Sequence, residues 1–214
     1  MKVFASWSGG KESCLACYRA ISSGFDVAYL LNFVDEDGKR SRSHRVPSYL
    51  LALQAEALGI PIVHVRTTWG EYERNMKEAV EELKMEGVEG GIFGDMDLAE
   101  HRAWNERVCS EMEIEALFPV WRRNPEELML EFVEEGFEAY VIATTLGEEW
   151  LGRKVDTTFI KDVEELGIHP CGESGEYHTF VTDGPLFKSA IEITDKKKIL
   201  RDGTWFLEIK GELK

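Results

Sequence analysis

Basic residues are scarce in this chain, with 25 Lys and Arg against 40 Asp and Glu and a formal net charge of −15 over 214 residues. Such an imbalance opposes a nonspecific electrostatic grip on RNA, DNA or anionic lipid, so nucleic acid is not expected as a partner. Cysteine is scarce as well. Four thiols at positions 14, 17, 109 and 171 do not make a disulfide framework, and a reducing, cytoplasmic setting suits them. No stretch nears the roughly 18 apolar residues of a membrane helix, and the first residues lead straight into a strand without a leader pattern, so no membrane role is expected. Internal repeats and low-complexity tracts are absent too. The acidic runs at 78–89 and 126–135 read as solvated helix faces. With 43% hydrophobic residues the chain can bury a core, and its length suits one domain with an appendage or two small ones.

What is present is alternation. Short apolar runs at 3–7, 27–33, 62–66, 91–94, 116–118 and 139–144 predict strands, and segments of helical period at 12–23, 47–58, 72–86, 98–112 and 125–135 predict the helices between them. Strict alternation implies an α/β fold, an open, mostly parallel, doubly wound sheet. After about residue 145 the texture changes to a short helix near 158–166, then strands at 191–194 and 205–210 flanking the turn Arg201-Asp202-Gly203-Thr204. The expected division is therefore 1–145 as the α/β domain and 146–214 as a small α+β subdomain.

The most informative stretch is Ser8-Gly9-Gly10-Lys11-Glu12-Ser13, where the first strand turns into the first helix. Two glycines let the backbone bring its N–H groups close to an anion, and the following helix adds the positive end of its dipole. Ser8 and Ser13 add hydroxyls, and Lys11 a mobile cation. The spacing is neither that of a Walker loop nor that of the dinucleotide fingerprint, and an ordinary strand-to-helix turn would also fit. In open α/β sheets the ligand lies off the carboxyl ends of the strands. That singles out His44 after the second strand and Gly94-Asp95 after the fourth, with His101 and Arg102 close behind. Asp95 could hold a metal or loop amides, and each of these residues could equally be loop polarity.

Two further patterns carry chemistry. Glu173 and Glu176, separated by Ser-Gly within Cys171-Gly172-Glu173-Ser174-Gly175-Glu176-Tyr177-His178-Thr179-Phe180-Val181, read as carboxylates on a tight turn. They could hold an ammonium ion or a substrate amine, bind a metal or relay a proton, or simply form a polar turn ahead of a strand. Cys14 and Cys17 form a C-x-x-C inside the first helix. Buried small thiols account for it better than a redox or metal pair, for which Cys109 and Cys171 are wrongly spaced.

The 8–13 hexapeptide resembles the S-G-G-x-D-S loop of the N-type ATP pyrophosphatases, with Glu12 in place of Asp. Taken with Gly94-Asp95, Pro119-Val120-Trp121, Trp150-Leu151-Gly152-Arg153 and an E-G-G-E-F/Y-E-T type motif at 173–179, the chain resembles the diphthine–ammonia ligases over nearly its whole length. Ser174 for the central Gly and His178 for the Glu before Thr mark a divergent branch. The resemblance implies an adenine nucleotide alpha hydrolase-like fold and an AMP-forming amide ligase. That enzyme would use ATP and Mg2+ to activate a carboxylate, that of diphthine on elongation factor 2 or an unidentified one, for attack by ammonia. It implies that Ser8, Gly9, Gly10 and Ser13 cradle the β- and γ-phosphates and Lys11 offsets their charge. Glu12 or Asp95 would hold magnesium, while Glu173 and Glu176 orient ammonium and take its proton. Gly94 joins the ATP site, and His44, Arg102, Tyr177 and His178 are substrate-binding candidates in a C-terminal substrate subdomain. Two rivals stand beside it: a tRNA-modifying enzyme of the same superfamily delivering sulfur through Cys14 or Cys17, and a noncatalytic nucleotide sensor. The oligomeric state is open, a homo-oligomer included.

Overall fold

From the first residues, strand and helix alternate: β1 (Lys2–Ser6), α1 (Lys11–Ser22), β2 (Asp26–Val34), α2 (Ser48–Leu58), β3 (Ile62–Arg66), α3 (Tyr72–Met85), β4 (Gly90–Ile92), α4 (Ala99–Glu111) and β5 (Glu115–Leu117). The computed structural model describes all of Met1–Lys214. These strands pair in the order β3-β2-β1-β4-β5, each neighbour parallel. Parallel neighbours need long crossovers, and the helices supply them. The order reverses at β1, with β2 and β3 on one side and β4 and β5 on the other, so the carboxyl ends of β1 and β4 form a topological switch point.

Periodicity explains the packing. Helix α3 buries Met76, Ala79, Val80 and Leu83, positions three and four apart that share one face. They join Val108 and Cys109 of α4 and Phe4, Leu31, Phe33 and Phe93 in one core cluster.

The chain divides into two compact units, Met1–Ser8 with Glu12–Arg122, and Gly9–Lys11 with Arg123–Lys214. The second contains α5 (Pro125–Glu134), β6 (Glu138–Thr144), α6 (Thr157–Glu165), β7 (Tyr177–Asp183), β8 (Ile191–Arg201) and β9 (Thr204–Leu213). Asn124 caps α5, its side chain accepting from the N–H groups of Glu126 and Glu127. Strand order is β7-β6-β9-β8, every pair antiparallel. Asp202 and Gly203 make the β8–β9 turn with φ values of 50° and 81°, the signature of a two-residue hairpin.

Two features differ from the sequence reading. The run at 139–144 is not a sixth strand of the parallel sheet; it is β6, paired antiparallel with β7 and β9, and the compact units part near residue 122 rather than 145. An apolar run following a helix looks the same in either sheet, because its partner β7 begins only at Tyr177. Strand β8 also continues well past 194 through Lys196-Lys197-Lys198, charges that an edge strand tolerates.

Candidate active site

The chain leaves β1 at Trp7, which is anchored three ways. Its N–H donates to the Leu31 carbonyl at 2.8 Å, its carbonyl accepts from Asn32 Nδ2 at 2.6 Å, and its indole N–H donates to Gln54 Oε1 at 2.9 Å. Gly9 follows at φ 76°, a left-handed conformation that costs glycine little. The hydroxyls of Ser8 and Ser13 lie 3.1 Å apart across the turn. Gly94, past the end of β4, lies against the same backbone. A Cβ there would stand 3.0 Å from the Glu12 carbonyl carbon and 3.0 Å from the Ser13 nitrogen, so the Gly94-Asp95 turn can follow the loop only without a side chain.

Asp95 is 19% exposed, accepts from Asn105 Nδ2 at 3.0 Å and lies 3.5 Å from His101 Nδ1. Burial pushes its carboxyl above the ordinary value, opposed by His101 and Asn105. Glu12 stands in the first turn of α1. No three His, Cys, Asp or Glu side chains converge on a metal position. Arg102 lies 4.9 Å from the ring centre of Phe118 and 4.8 Å from that of Trp121, and donates to Glu106 at 2.6 Å. His44 is half-buried in the connection from β2 to α2.

Beside the loop, Trp7, Ser8, Asn32, Arg42, Ser43 and Trp69 line a hollow at the carboxyl ends of β1 and β2. Arg42 packs over the Trp69 ring at 4.7 Å and pairs with Asp35 at 2.9 Å. Sequence reasoning missed Asn32, Arg42 and Trp69. The available signal was a lone amide in the otherwise apolar run Leu30-Leu31-Asn32-Phe33-Val34.

Gly9–Lys11 belongs with the C-terminal unit, where it meets the free edge of β7. The Gly9 carbonyl accepts from the Val181 N–H at 3.0 Å, and the Lys11 N–H donates to Thr179 Oγ1 at 3.1 Å. Lys11 is not the mobile cation the sequence suggested. It is 4% exposed, with Nζ 2.7 Å from the Cys171 carbonyl and 4.4 Å from the Tyr177 ring centre. Tyr177 is 1% exposed, and its hydroxyl donates to the Pro170 carbonyl, so it forms a wall beneath Lys11.

The 171–181 run is a tight turn entering β7. Glu173 and Glu176 are half-buried in it. Glu176 Oε2 accepts from the Ser174 N–H at 3.1 Å, and its carbonyl accepts from Thr144 Oγ1 at 2.8 Å and the Thr145 N–H at 3.0 Å. The carboxylate reading and the turn reading thus describe one segment. His178 is half-buried in β7, in register with Ala143. All four thiols are buried. Burial pushes the Cys17 and Cys109 thiols up to about 12 and raises Cys14 well above its ordinary value.

A larger cavity, about 550 Å3, lies in the C-terminal unit between Glu138, Tyr140, Asp183, Glu192 and Leu207. It exists because β9 pairs with β6 only at Ala143 and Thr144 and parts from the rest of that strand. Tyr140 on its wall stands four residues, about 13 Å, along β6 from Thr144, the end that meets the carboxylate run.

Comparison with known proteins places the whole chain. Residues 1–135 match the diphthamide synthase N-terminal domain and residues 124–214 the diphthamide synthase C-terminal domain. A diphthine–ammonia ligase of Rattus norvegicus is 29% identical over 98% of this chain and 89% of its own length. One of Bos taurus is 30% identical over 94% of this chain and 85% of its own. A solved structure described as a predicted subunit of tRNA methyltransferase from Methanocaldococcus jannaschii shares 18% identity at a TM-score of 0.48, over 85% of this chain and 96% of that one, a likeness too loose to bear on fold or activity. With a Ser-Gly-Gly turn at the switch point of a parallel sheet, a glutamate turn on the edge of a second sheet, and matches that run from the first residue to the last, the chain belongs to the diphthamide synthase family.

Proposed function

We propose that this protein is a diphthine–ammonia ligase, which activates the carboxylate of diphthine on elongation factor 2 with ATP and converts it to the amide. The observation that carries this reading is the 8–13 turn, lying where a parallel sheet collects anions, in a chain that matches the family in both halves.

A carboxylate oxygen attacks the α-phosphorus of ATP, pyrophosphate leaves, and an acyl-adenylate forms. Ammonia then adds to the acyl carbon, AMP leaves with the electron pair of the C–O bond, and a proton passes from nitrogen to a base. Backbone N–H groups of the 8–13 turn, the hydroxyls of Ser8 and Ser13 and the N-terminus of α1 stabilise charge as it builds on the departing pyrophosphate. The hollow beside Trp7, Asn32 and Arg42 receives the nucleoside. Lys11 adds positive charge to the turn and ties it to the 171–181 run.

Glu12 and Asp95 would hold Mg2+, a hard cation that takes carboxylate oxygens. When bound, Mg2+ supplies neutralisation of phosphate charge. Glu173 and Glu176 orient ammonium and accept its proton, since only neutral ammonia is a nucleophile. His44, Arg102 and His178 serve as substrate contacts in this reading, and the cavity of the C-terminal unit supports its assignment to the protein substrate.

Pyrophosphate release tests the reading. Sustained release over many turnovers should require ATP, ammonium and elongation factor 2 carrying diphthine together, while ATP and that substrate alone should give at most one pyrophosphate per enzyme. Release that depends on tRNA instead would mark a tRNA-modifying enzyme, and ATP binding without release under any of these conditions would mark a nucleotide sensor.

A further inference from the structure

Asn32 and His64 are register partners on β2 and β3, and with Trp7 their polar atoms can be bonded in one sense alone. The Trp7 carbonyl can only accept, so the group 2.6 Å from it is the Asn32 Nδ2 amide. That turns Asn32 Oδ1 toward His64 Nδ1, 3.3 Å away. Because Oδ1 can only accept, Nδ1 carries the histidine proton. The relay runs from the His64 Nδ1–H to Asn32 Oδ1, and from the Asn32 Nδ2–H to the Trp7 carbonyl.

The relay runs from a half-buried histidine into the core. Asn32 is 3% exposed, and His64 Nε2 is buried without a hydrogen-bond partner. Burial also lowers the His64 pKa, which keeps the ring neutral. A buried amide in an apolar strand costs free energy unless its bonds are made, and Leu or Val at position 32 would pack as well. What this amide does that an apolar side chain could not is hold the carbonyl of Trp7. A trans peptide is planar, so a carbonyl fixed on the Asn32 side fixes the Ser8 N–H on the opposite side. Trp7 cannot swing to compensate, because its own N–H and its indole are bonded to Leu31 and Gln54.

We propose that His64 and Asn32 are positioning residues for the nucleotide step: through the Trp7 carbonyl they set the direction of the Ser8 N–H, the first donor of the phosphate loop. This rests on the reading of 8–13 as the loop that holds the phosphates.

Calorimetric titration of ATP and of adenosine separates the two claims. His64→Leu should weaken ATP binding by about three- to tenfold, the range for one hydrogen bond, while leaving adenosine affinity unchanged. His64→Asn, which offers an amide N–H near the Nδ1 position, should restore most of the loss. Unchanged ATP affinity in His64→Leu, or an equal loss for adenosine and ATP, would overturn the inference. A second measurement needs no variant: nitrogen NMR of the histidines in the intact protein at mildly alkaline pH should find the His64 proton on Nδ1, and a proton on Nε2 overturns the relay. Gly10→Val serves as the control. If it binds ATP as the wild type does, the phosphate-loop reading falls and takes the inference with it; if it loses ATP while His64→Leu does not, only the inference falls.

Discussion

Lys11 directs its ammonium at the carbonyl oxygen of Cys171, 2.7 Å away, with the face of Tyr177 at 4.4 Å. A carbonyl oxygen and an aromatic face both attract an ammonium. The contact ties Lys11 to the segment that carries Glu173 and Glu176. Lys11→Met should remove a charge-assisted bond worth about 1.5–3 kcal/mol. Pyrophosphate release should fall at least about tenfold, and hydrogen-exchange protection at 171–177 should drop. Lys11→Arg should not restore it, because a planar fork cannot replace a point charge between a carbonyl and a ring. Wild-type protection and release in Lys11→Met would show that the contact is incidental.

Gly94→Ala tests the close approach on the other side of the loop. The added Cβ would press on the backbone of Glu12 and Ser13 at 3.0 Å, and neither atom belongs to a side chain that could swing away. The loop must shift by a few tenths of an ångström. ATP affinity should fall about tenfold with a small change in melting temperature, since loop geometry rather than the core is disturbed. Equal nucleotide affinity in the two proteins would show that the turn tolerates the shift.

The first unit was legible because its signals are local. Apolar runs and helical period locate β1 to β5 and α1 to α4, and the Ser-Gly-Gly turn locates the loop. Contacts distant in sequence were not legible. Nothing near Lys11 announces Cys171, 160 positions away, and nothing near Asn32 announces His64, because strand register joins them. The same holds for β6, whose sheet is decided by β7. The hairpin at Asp202-Gly203 was visible from its turn chemistry, whereas the length of β8 was hidden by a lysine run that usually signals a loop.

The two glutamates should separate in their structural demands. Glu176 Oε2 accepts from the Ser174 N–H, a bond that the Oε1 of glutamine can also accept, so Glu176→Gln should keep the turn and Glu176→Ala should loosen it. On the proposed mechanism, both Glu173→Gln and Glu176→Gln remove a base, a loss that typically costs about 10²–10⁴-fold. Ammonia-dependent amide formation should fall by that order while ATP affinity holds. Product formation at the wild-type rate in both variants would reduce the carboxylates to a turn.

The cysteines should be silent in the native protein. Burial holds the Cys17 and Cys109 thiols at about 12 and Cys14 well above its ordinary value, so none of these three forms the reactive thiolate at neutral pH. A colorimetric thiol reagent should titrate no more than a trace of thiol before denaturation and all four after it. Rapid modification of Cys14 or Cys17 in the folded protein would revive the sulfur-transfer rival.

Acid should loosen the tie between α3 and α4. Glu73 is held down to about 2, chiefly by its hydrogen bonds from Arg107 and then Lys77, and the same two cations lower Glu111. Arg107 grips both Glu73 oxygens, at 2.6 Å and 3.0 Å, and Lys77 reaches Glu73 at 2.7 Å and Glu111 at 2.6 Å. Because the folded carboxyl gives up its proton more readily than the unfolded one, whose value is near 4.5, the unfolded state binds more protons below that pH. The stabilisation is present above about 4.5 and is lost as pH falls toward 2. The groups are solvent-exposed, so salt should weaken the effect. Thermal melts should show the gap between wild type and Arg107→Leu narrowing through this acid window and in high salt, and a gap independent of both would mean that Arg107 acts by packing rather than by charge.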